Sequence, residues 1–159
     1  MKIVVGIADM KVSNNVKETL ITYSLGSCIG LAIWDPVARV GGMLHYMLPE
    51  SRIDRERAVK NPYMFADTGI PALFKDSYRL GASKSRLVVN VVGGSQILDP
   101  SGMFNIGKRN YQMLRKLFDK NNIRIAGEDV GGCVNRTISL EIGTGRVLLK
   151  ISGRGEIEL

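Results

Sequence analysis

Two apolar runs joined by a short turn are the feature that most constrains the fold of this chain. Cys28–Trp34 and Arg39–Leu48 each have the length of a β-strand, and Asp35–Ala38 lies between them. Asp favours the first position of a type I turn and Pro the second, so Asp35-Pro36 marks a tight reversal. The sequence therefore predicts an antiparallel hairpin, and a fold in which strands pair across short connections.

Most of the remaining chain consists of similar short apolar segments. Apolar residues at helical spacing predict only two helices, over residues 63–79 and 106–120, and Pro71 would kink or divide the first. The polar stretches Glu50–Pro62 and Ser95–Gly102 are predicted to be loops. We expect an α+β fold with mainly antiparallel pairing, in one domain over residues 1–159. The predicted strands are Lys2–Ala8, Lys17–Tyr23, Cys28–Trp34, Arg39–Leu48, Arg86–Val92, Ile123–Glu128, Thr137–Ile142 and Arg146–Ile151.

Composition and charge exclude several classes of protein. No segment approaches the roughly 20 apolar residues of a membrane helix, and the N-terminal apolar run is too short for a signal peptide. Two cysteines do not form the disulfide framework of a secreted domain, so we expect a cytoplasmic protein with reduced thiols. The net charge of +7 favours an acidic partner. Nucleic acid is not expected, because the basic residues are dispersed and no base-stacking motif accompanies them.

The predicted hairpin brings a thiol and an imidazole to one face of the sheet. If residues 35–38 form a four-residue loop, Trp34 lies opposite Arg39, and Cys28 lies opposite His45. Opposed Cβ atoms in an antiparallel pair are about 4.5–5.5 Å apart, which lets the two side chains meet. A slip of one residue, for example at a bulge in Gly41-Gly42, would send His45 to the other face.

This pair has the chemistry of a cysteine hydrolase. A free thiol is only a few per cent ionised at neutral pH, and a neighbouring imidazole can take its proton and later protonate a leaving amine. Gly26 and Ser27 can present main-chain N–H groups to a developing oxyanion. Taken alone, Cys28 is more often a small core residue, and a lone histidine such as His45 is more often structural. As His45 is the only histidine, any Cys–His chemistry must use it.

Three further observations complete the candidate site. The hydroxyl of Thr22 can orient the imidazole, although a threonine in a strand is usually explained by its high β-sheet propensity alone. Cys133 has no histidine partner and is predicted to be structural. One histidine and two distant cysteines give no zinc-ligand spacing, and no phosphate-binding glycine motif is present, so no metal or cofactor is expected.

Short motifs occur in a fixed order along nearly the whole chain. They are Leu25-Gly26-Ser27-Cys28, Asp35-Pro36, Gly41-Gly42-Met43, His45-Tyr46-Met47-Leu48-Pro49, Ala66-Asp67, Gly93-Gly94, Asn105-Ile106-Gly107, Arg109-Asn110, Gly127-Glu128-Asp129 and Gly131-Gly132. Together they resemble the CheD family of chemoreceptor glutamine deamidases. Two positions depart from the family pattern: Ser95–Gly102 is longer than usual, and Asn135 precedes Arg136 where glycine is common.

The resemblance implies a compact three-layer α/β/β sandwich, similar to toxin deamidases that act on Rho proteins. It implies a Cys–His–Thr triad at Cys28, His45 and Thr22, which converts receptor glutamines to glutamates through a thioester. The substrate would be the cytoplasmic helices of chemotaxis receptors, and the partner a CheC-type phosphatase of CheY. Two alternatives stay open: a cysteine amidase or protease with another substrate, and a binding module that mainly regulates the phosphatase.

Overall fold

The structure is a computed structural model that describes residues 1–96 and 104–159. Within these residues the chain forms ten β-strands and three α-helices. The strands are β1 (Lys2–Val4), β2 (Asp9–Ser13), β3 (Thr19–Leu25), β4 (Ile29–Asp35), β5 (Val40–Tyr46), β6 (Val88–Gly93), β7 (Gly127–Val130), β8 (Arg136–Glu141), β9 (Val147–Ile151) and β10 (Gly155–Glu158). The helices are α1 (Arg55–Lys60), α2 (Ala66–Arg79) and α3 (Ile106–Lys120).

The strands form two five-stranded sheets. The outer sheet has the order β1-β3-β8-β9-β10, and the central sheet has the order β2-β5-β4-β6-β7. All neighbouring pairs are antiparallel except β1 with β3 and β6 with β7. One face of the central sheet packs on the outer sheet, and the other packs on α2 and α3. The expected α+β fold, a three-layer α/β/β sandwich with mainly antiparallel sheets, is confirmed.

Both faces of the central sheet are buried at its three inner strands, β4, β5 and β6, so these strands are apolar almost throughout. Leu31 of β4 and Leu44 of β5 pack against the helices, whereas Ala32 and Met43 face the outer sheet. The two layers approach closely beside Gly30, where a Cβ atom would lie 2.7 Å from Cδ1 of Leu25 in the outer sheet. A strand covered on both sides loses the polar–apolar alternation that a half-exposed strand shows.

The predicted hairpin exists, but its predicted register is wrong by two residues. Asp35 pairs with Val40, so the connecting loop is 36–39 rather than 35–38, and His45 lies opposite Gly30 instead of Cys28. Asp35 stays in the strand because its buried carboxylate forms an ion pair with Arg86 and accepts hydrogen bonds from main-chain N–H groups of the loop. A shift of two residues preserves the face of every side chain, so His45 remains on the side predicted for it.

The first predicted strand, Lys2–Ala8, is in fact divided between the two sheets. β1 ends at Val4, and the chain turns before β2 begins at Asp9 in the central sheet. Ala8 adopts a left-handed conformation with φ of 55°, and the Asp9 carboxylate accepts a hydrogen bond from the N–H of Gly6. This crossing turn, residues 5–8, lies beside the candidate site described below.

Several other helices and strands begin or end at residues different from those predicted, and one predicted loop contains a helix. The segment Glu50–Pro62 contains α1, which begins where the Asp54 side chain accepts a hydrogen bond from the N–H of Arg57. The first long helix begins at Ala66 and continues through Pro71 without being divided. The predicted strand 123–128 is displaced to β7, and β2 and β10 were not predicted.

The helix predicted over residues 106–120 is confirmed as α3. Most of the predicted Ser95–Gly102 loop lies outside the described residues. None of the described helices combines the length and the hydrophobicity that a membrane-spanning segment needs.

Candidate active site

A threonine and a histidine meet in the space between the two sheets. Thr22 projects from β3 of the outer sheet and His45 from β5 of the central sheet, and both are fully buried. The Oγ1 atom of Thr22 lies 2.7 Å from Nδ1 of His45, and it also lies 2.7 Å from the carbonyl oxygen of Val5 in the crossing turn.

These contacts determine the tautomer of the imidazole. Because the Val5 carbonyl can only accept, the Thr22 hydroxyl donates its proton there, and its oxygen then accepts from the N–H of His45 Nδ1. The other ring nitrogen, Nε2, consequently carries a lone pair. It is buried and has no hydrogen-bond partner among the described residues. The arrangement leaves an oriented base with its accepting atom free.

His45 is uncharged at neutral pH. Burial lowers the pKa of its imidazole to about 4, although the nearby Asp9 carboxylate acts in the opposite direction. Asp9 lies directly opposite His45 in the pairing of β2 with β5. It therefore provides a negative charge close to the position where an imidazolium would form.

Cys28 lies just before β4, on the same side of the central sheet as His45. Its side chain is half-buried and packs against the apolar cluster between the sheets. Cys28 precedes Gly30 by two residues and Gly30 is opposite His45, so the thiol and the imidazole are diagonal neighbours rather than a direct pair. Burial raises the pKa of the Cys28 thiol to about 11. Both groups are thus neutral at pH 7, and no hydrogen bond joins them.

The segment around Cys28 is held by its carbonyl groups. The N–H of Ser95 donates to the Gly26 carbonyl, and the N–H of Gly94 donates to the Cys28 carbonyl, both at 2.9 Å. Within the described ranges, the N–H groups of Ser27 and Cys28 donate to no main-chain carbonyl, and that of Cys28 contacts its own sulfur. Two main-chain donors beside the thiol are therefore available to a substrate oxygen.

A buried arginine that the sequence analysis did not assign to the site supports this segment indirectly. The guanidinium of Arg136 forms an ion pair with Asp129 and donates to the carbonyls of Gly93 and Gly131 and to the Ser95 hydroxyl. These bonds fix the Gly-Gly turns, and through them the N–H groups that hold Cys28. The sequence around Arg136, which follows Asn135, does not indicate that this arginine is buried or which residues it contacts.

Asn110 is a second site residue whose role was not predicted, although Arg109-Asn110 is one of the motifs that carry the family resemblance. It is fully buried, and its Nδ2 atom donates to the Ser27 carbonyl at 2.9 Å. The available signal was its position on α3, four residues before Leu114 and eight before Phe118, which makes it a polar residue on the apolar face of a helix.

The second cysteine lies outside this arrangement. Cys133, predicted to be structural because it has no histidine partner, is exposed rather than part of the buried core. It lies in the bend between β7 and β8, directly after Gly131 and Gly132, both of which have positive φ. In the part of the chain that the structure describes, no group of three or more His, Cys, Asp or Glu side chains is placed to hold a metal ion.

Comparison with known proteins places the chain in a family. The family model for CheD, chemotactic sensory transduction, matches residues 47–151. A probable chemoreceptor glutamine deamidase CheD 1 of Syntrophus aciditrophicus is 56% identical over 95% of this chain and 94% of its own length. A probable chemoreceptor glutamine deamidase CheD of Solibacter usitatus is 53% identical, with 96% and 90% covered. The Thermococcus kodakarensis protein of that name is 38% identical, with 99% and 97% covered. The chain belongs to the CheD family.

Proposed function

We propose that this protein deamidates glutamine side chains on the cytoplasmic helices of chemoreceptors, converting them to glutamates. The observation that carries the chemistry is the hydrogen bond from His45 Nδ1 to Thr22, which leaves Nε2 as a free base beside the half-buried Cys28. The substrate class comes from the names of the relatives, which cover nearly the whole chain. This activity would place the protein in the cytoplasm, where the receptor helices lie.

The reaction proceeds from a neutral thiol and a neutral imidazole. When a glutamine carboxamide enters, His45 Nε2 accepts the proton of the Cys28 thiol as the sulfur attacks the amide carbon. The imidazolium that forms is stabilised by the nearby Asp9 carboxylate. It then protonates the leaving nitrogen, so ammonia departs and a thioester remains. No cofactor is required for this step.

The second half of the reaction uses the same base. His45 removes a proton from water, the resulting nucleophile attacks the thioester, and the proton returns to the sulfur as glutamate is released. In both halves a negative charge develops on the substrate oxygen. The main-chain N–H groups of this segment, those of Gly26 and Ser27 as predicted together with that of Cys28, can stabilise it.

A receptor assay tests this function directly. Purified receptor cytoplasmic fragment is incubated with the protein, and its peptides are examined by mass spectrometry. We expect conversion of particular glutamines to glutamates, release of one ammonia for each, and an intact receptor chain. Cleaved receptor would instead indicate a protease, and unmodified receptor in the presence of folded protein would contradict the proposal.

Replacing Thr22 by valine should reduce the turnover number without unfolding the protein. Valine keeps the shape of the side chain but cannot accept from His45 Nδ1, so the imidazole is no longer held in the reactive tautomer. General acid–base catalysis contributes about 10²- to 10⁴-fold in rate, and losing the orientation of the base should remove about 10- to 100-fold of it. Thr22→Ser is the matched control and should stay close to wild type. Equal turnover by Thr22→Val and wild type would show that the hydrogen bond does not orient the base.

We further propose that a CheC-type phosphatase docks over the same site and competes with the receptor. The crossing turn beside Thr22 carries the exposed apolar side chain of Ile7, which a partner helix can cover. Adding a CheC homologue from the same organism to the receptor assay should therefore inhibit deamidation, and by linkage receptor should weaken phosphatase binding by the same factor. Saturating phosphatase that binds without slowing deamidation would contradict a shared site.

A further inference from the structure

One amide side chain joins the strands that carry the thiol and the imidazole. The pairing of β4 with β5 ends at Ile29 and Tyr46. Just beyond this pair, the carbonyls of Ser27 and Met47 both accept hydrogen bonds from Nδ2 of Asn110, at 2.9 and 2.8 Å. A side chain from the helical layer thus replaces main-chain pairing where the strands separate, immediately beside Cys28.

The orientation of this amide follows from its partners. Both partners are carbonyl oxygens, which cannot donate, so the nitrogen of Asn110 must face them and both of its protons are used. The other atom, Oδ1, is buried and has no partner within the described residues. A buried acceptor without a donor opposes folding. An apolar residue here, like Leu114 and Phe118 on the same helix face, would avoid this cost but would leave the Ser27 and Met47 carbonyls without their donor. The need for an amide therefore comes from the two strand ends that it joins.

The bond to Ser27 also fixes the direction of a candidate oxyanion donor. No cis peptide bond is present among the described residues, and in a trans peptide the C=O and N–H groups point in opposite directions. Because Asn110 holds the Ser27 carbonyl, the N–H of Cys28 in the same peptide unit must point away from α3. Rotation of this peptide would misdirect the donor, and it would also shift the thiol of Cys28, the next residue, relative to His45.

We propose that Asn110 is a positioning residue for the reaction. It holds the Cys28 segment at a fixed distance from the end of the strand that carries His45, and it aims the Cys28 N–H at the developing oxyanion. It touches neither the substrate nor the thiol. This inference rests on the proposed function, but the geometry also makes it testable without a substrate.

The first test separates positioning from stability. Asn110→Ala removes the amide, and Asn110→Asp keeps its shape but cannot donate to two carbonyls when ionised. Both should lower kcat about 100-fold, the usual cost of losing one oxyanion donor, and leave KM within about threefold. Leu114→Ala, one turn further along the same buried face, is the control: it should lower the unfolding temperature while kcat of the folded protein stays within about threefold.

The second test needs no receptor. In a Cys133→Ser background, the rate of Cys28 alkylation by iodoacetamide is followed against pH for wild type, Asn110→Ala and Leu114→Ala. We expect Asn110→Ala to slow alkylation at neutral pH about tenfold, because the displaced thiol no longer meets His45, and Leu114→Ala to have little effect.

The outcomes separate the two proposals. If wild type fails to deamidate receptor but Asn110→Ala still slows alkylation, the proposed function is wrong and the positioning role stands. A folded Asn110→Ala protein with kcat and alkylation within about threefold of wild type would overturn the positioning role. Failure of both Asn110 variants to fold would also overturn it, since the residue would then serve stability.

Discussion

Replacing Cys28 by alanine is expected to abolish deamidation while leaving the fold intact. The proposed mechanism forms a covalent bond to the sulfur, and removal of such a nucleophile typically lowers kcat by a factor on the order of 10⁴–10⁶. Cys28 is half-buried and lies outside β4, so losing its sulfur removes little packing. The measurement is the conversion of receptor glutamines by mass spectrometry, together with the thermal unfolding of both proteins.

The other cysteine is the matched control for this variant. Cys133 is exposed and outside the site, so Cys133→Ser should deamidate at the wild-type rate. If Cys133→Ser is active and Cys28→Ala is inactive, the loss of activity is specific to the Cys28 thiol. It is then not explained by oxidation, or by a general intolerance of the protein to cysteine replacement. Wild-type activity in Cys28→Ala would disprove the thioester mechanism.

Replacing His45 by alanine should be about as damaging as Cys28→Ala. Burial raises the pKa of the Cys28 thiol to about 11, so without a base almost no thiolate exists at neutral pH. Residues that act as one unit lose activity together, and the loss should again be on the order of 10⁴-fold or more. His45→Asn is a sharper variant, because its amide can still donate to Thr22 but cannot accept a proton. Appreciable activity in either variant would show that another base serves.

The buried imidazole also predicts a pH dependence of stability. Burial lowers the pKa of His45 from 6.5 to about 4, so between these values the unfolded chain binds a proton that the folded chain does not. The free energy of unfolding should therefore fall as the pH is lowered through this range. His45→Asn lacks this contribution. When the free energy of unfolding is measured by chemical denaturation at several pH values, it should fall less steeply with decreasing pH in the variant than in the wild type. Parallel declines would mean that His45 titrates normally in the folded state.

Local features of the sequence determined several parts of this structure. The helical spacing of Leu114 and Phe118 fixed α3, and the Asp35-Pro36 turn between apolar runs fixed the hairpin. The face shared by Cys28 and His45 was also predictable, because side chains alternate along a strand and an error of two residues preserves that alternation. These properties depend only on neighbours along the chain or across one turn.

The tertiary structure alone decided how the site is assembled. The contact between Thr22 and His45 joins two different sheets, and no pairing register within either sheet specifies how the sheets stack. Asn110 reaches the nucleophile segment from a third layer, so its spacing from Ser27 along the chain carries no signal. Asp35 set the register through an ion pair with Arg86, a partner 51 residues away. Residue type and local spacing identify the chemistry, but contacts between layers depend on packing that only the folded chain defines.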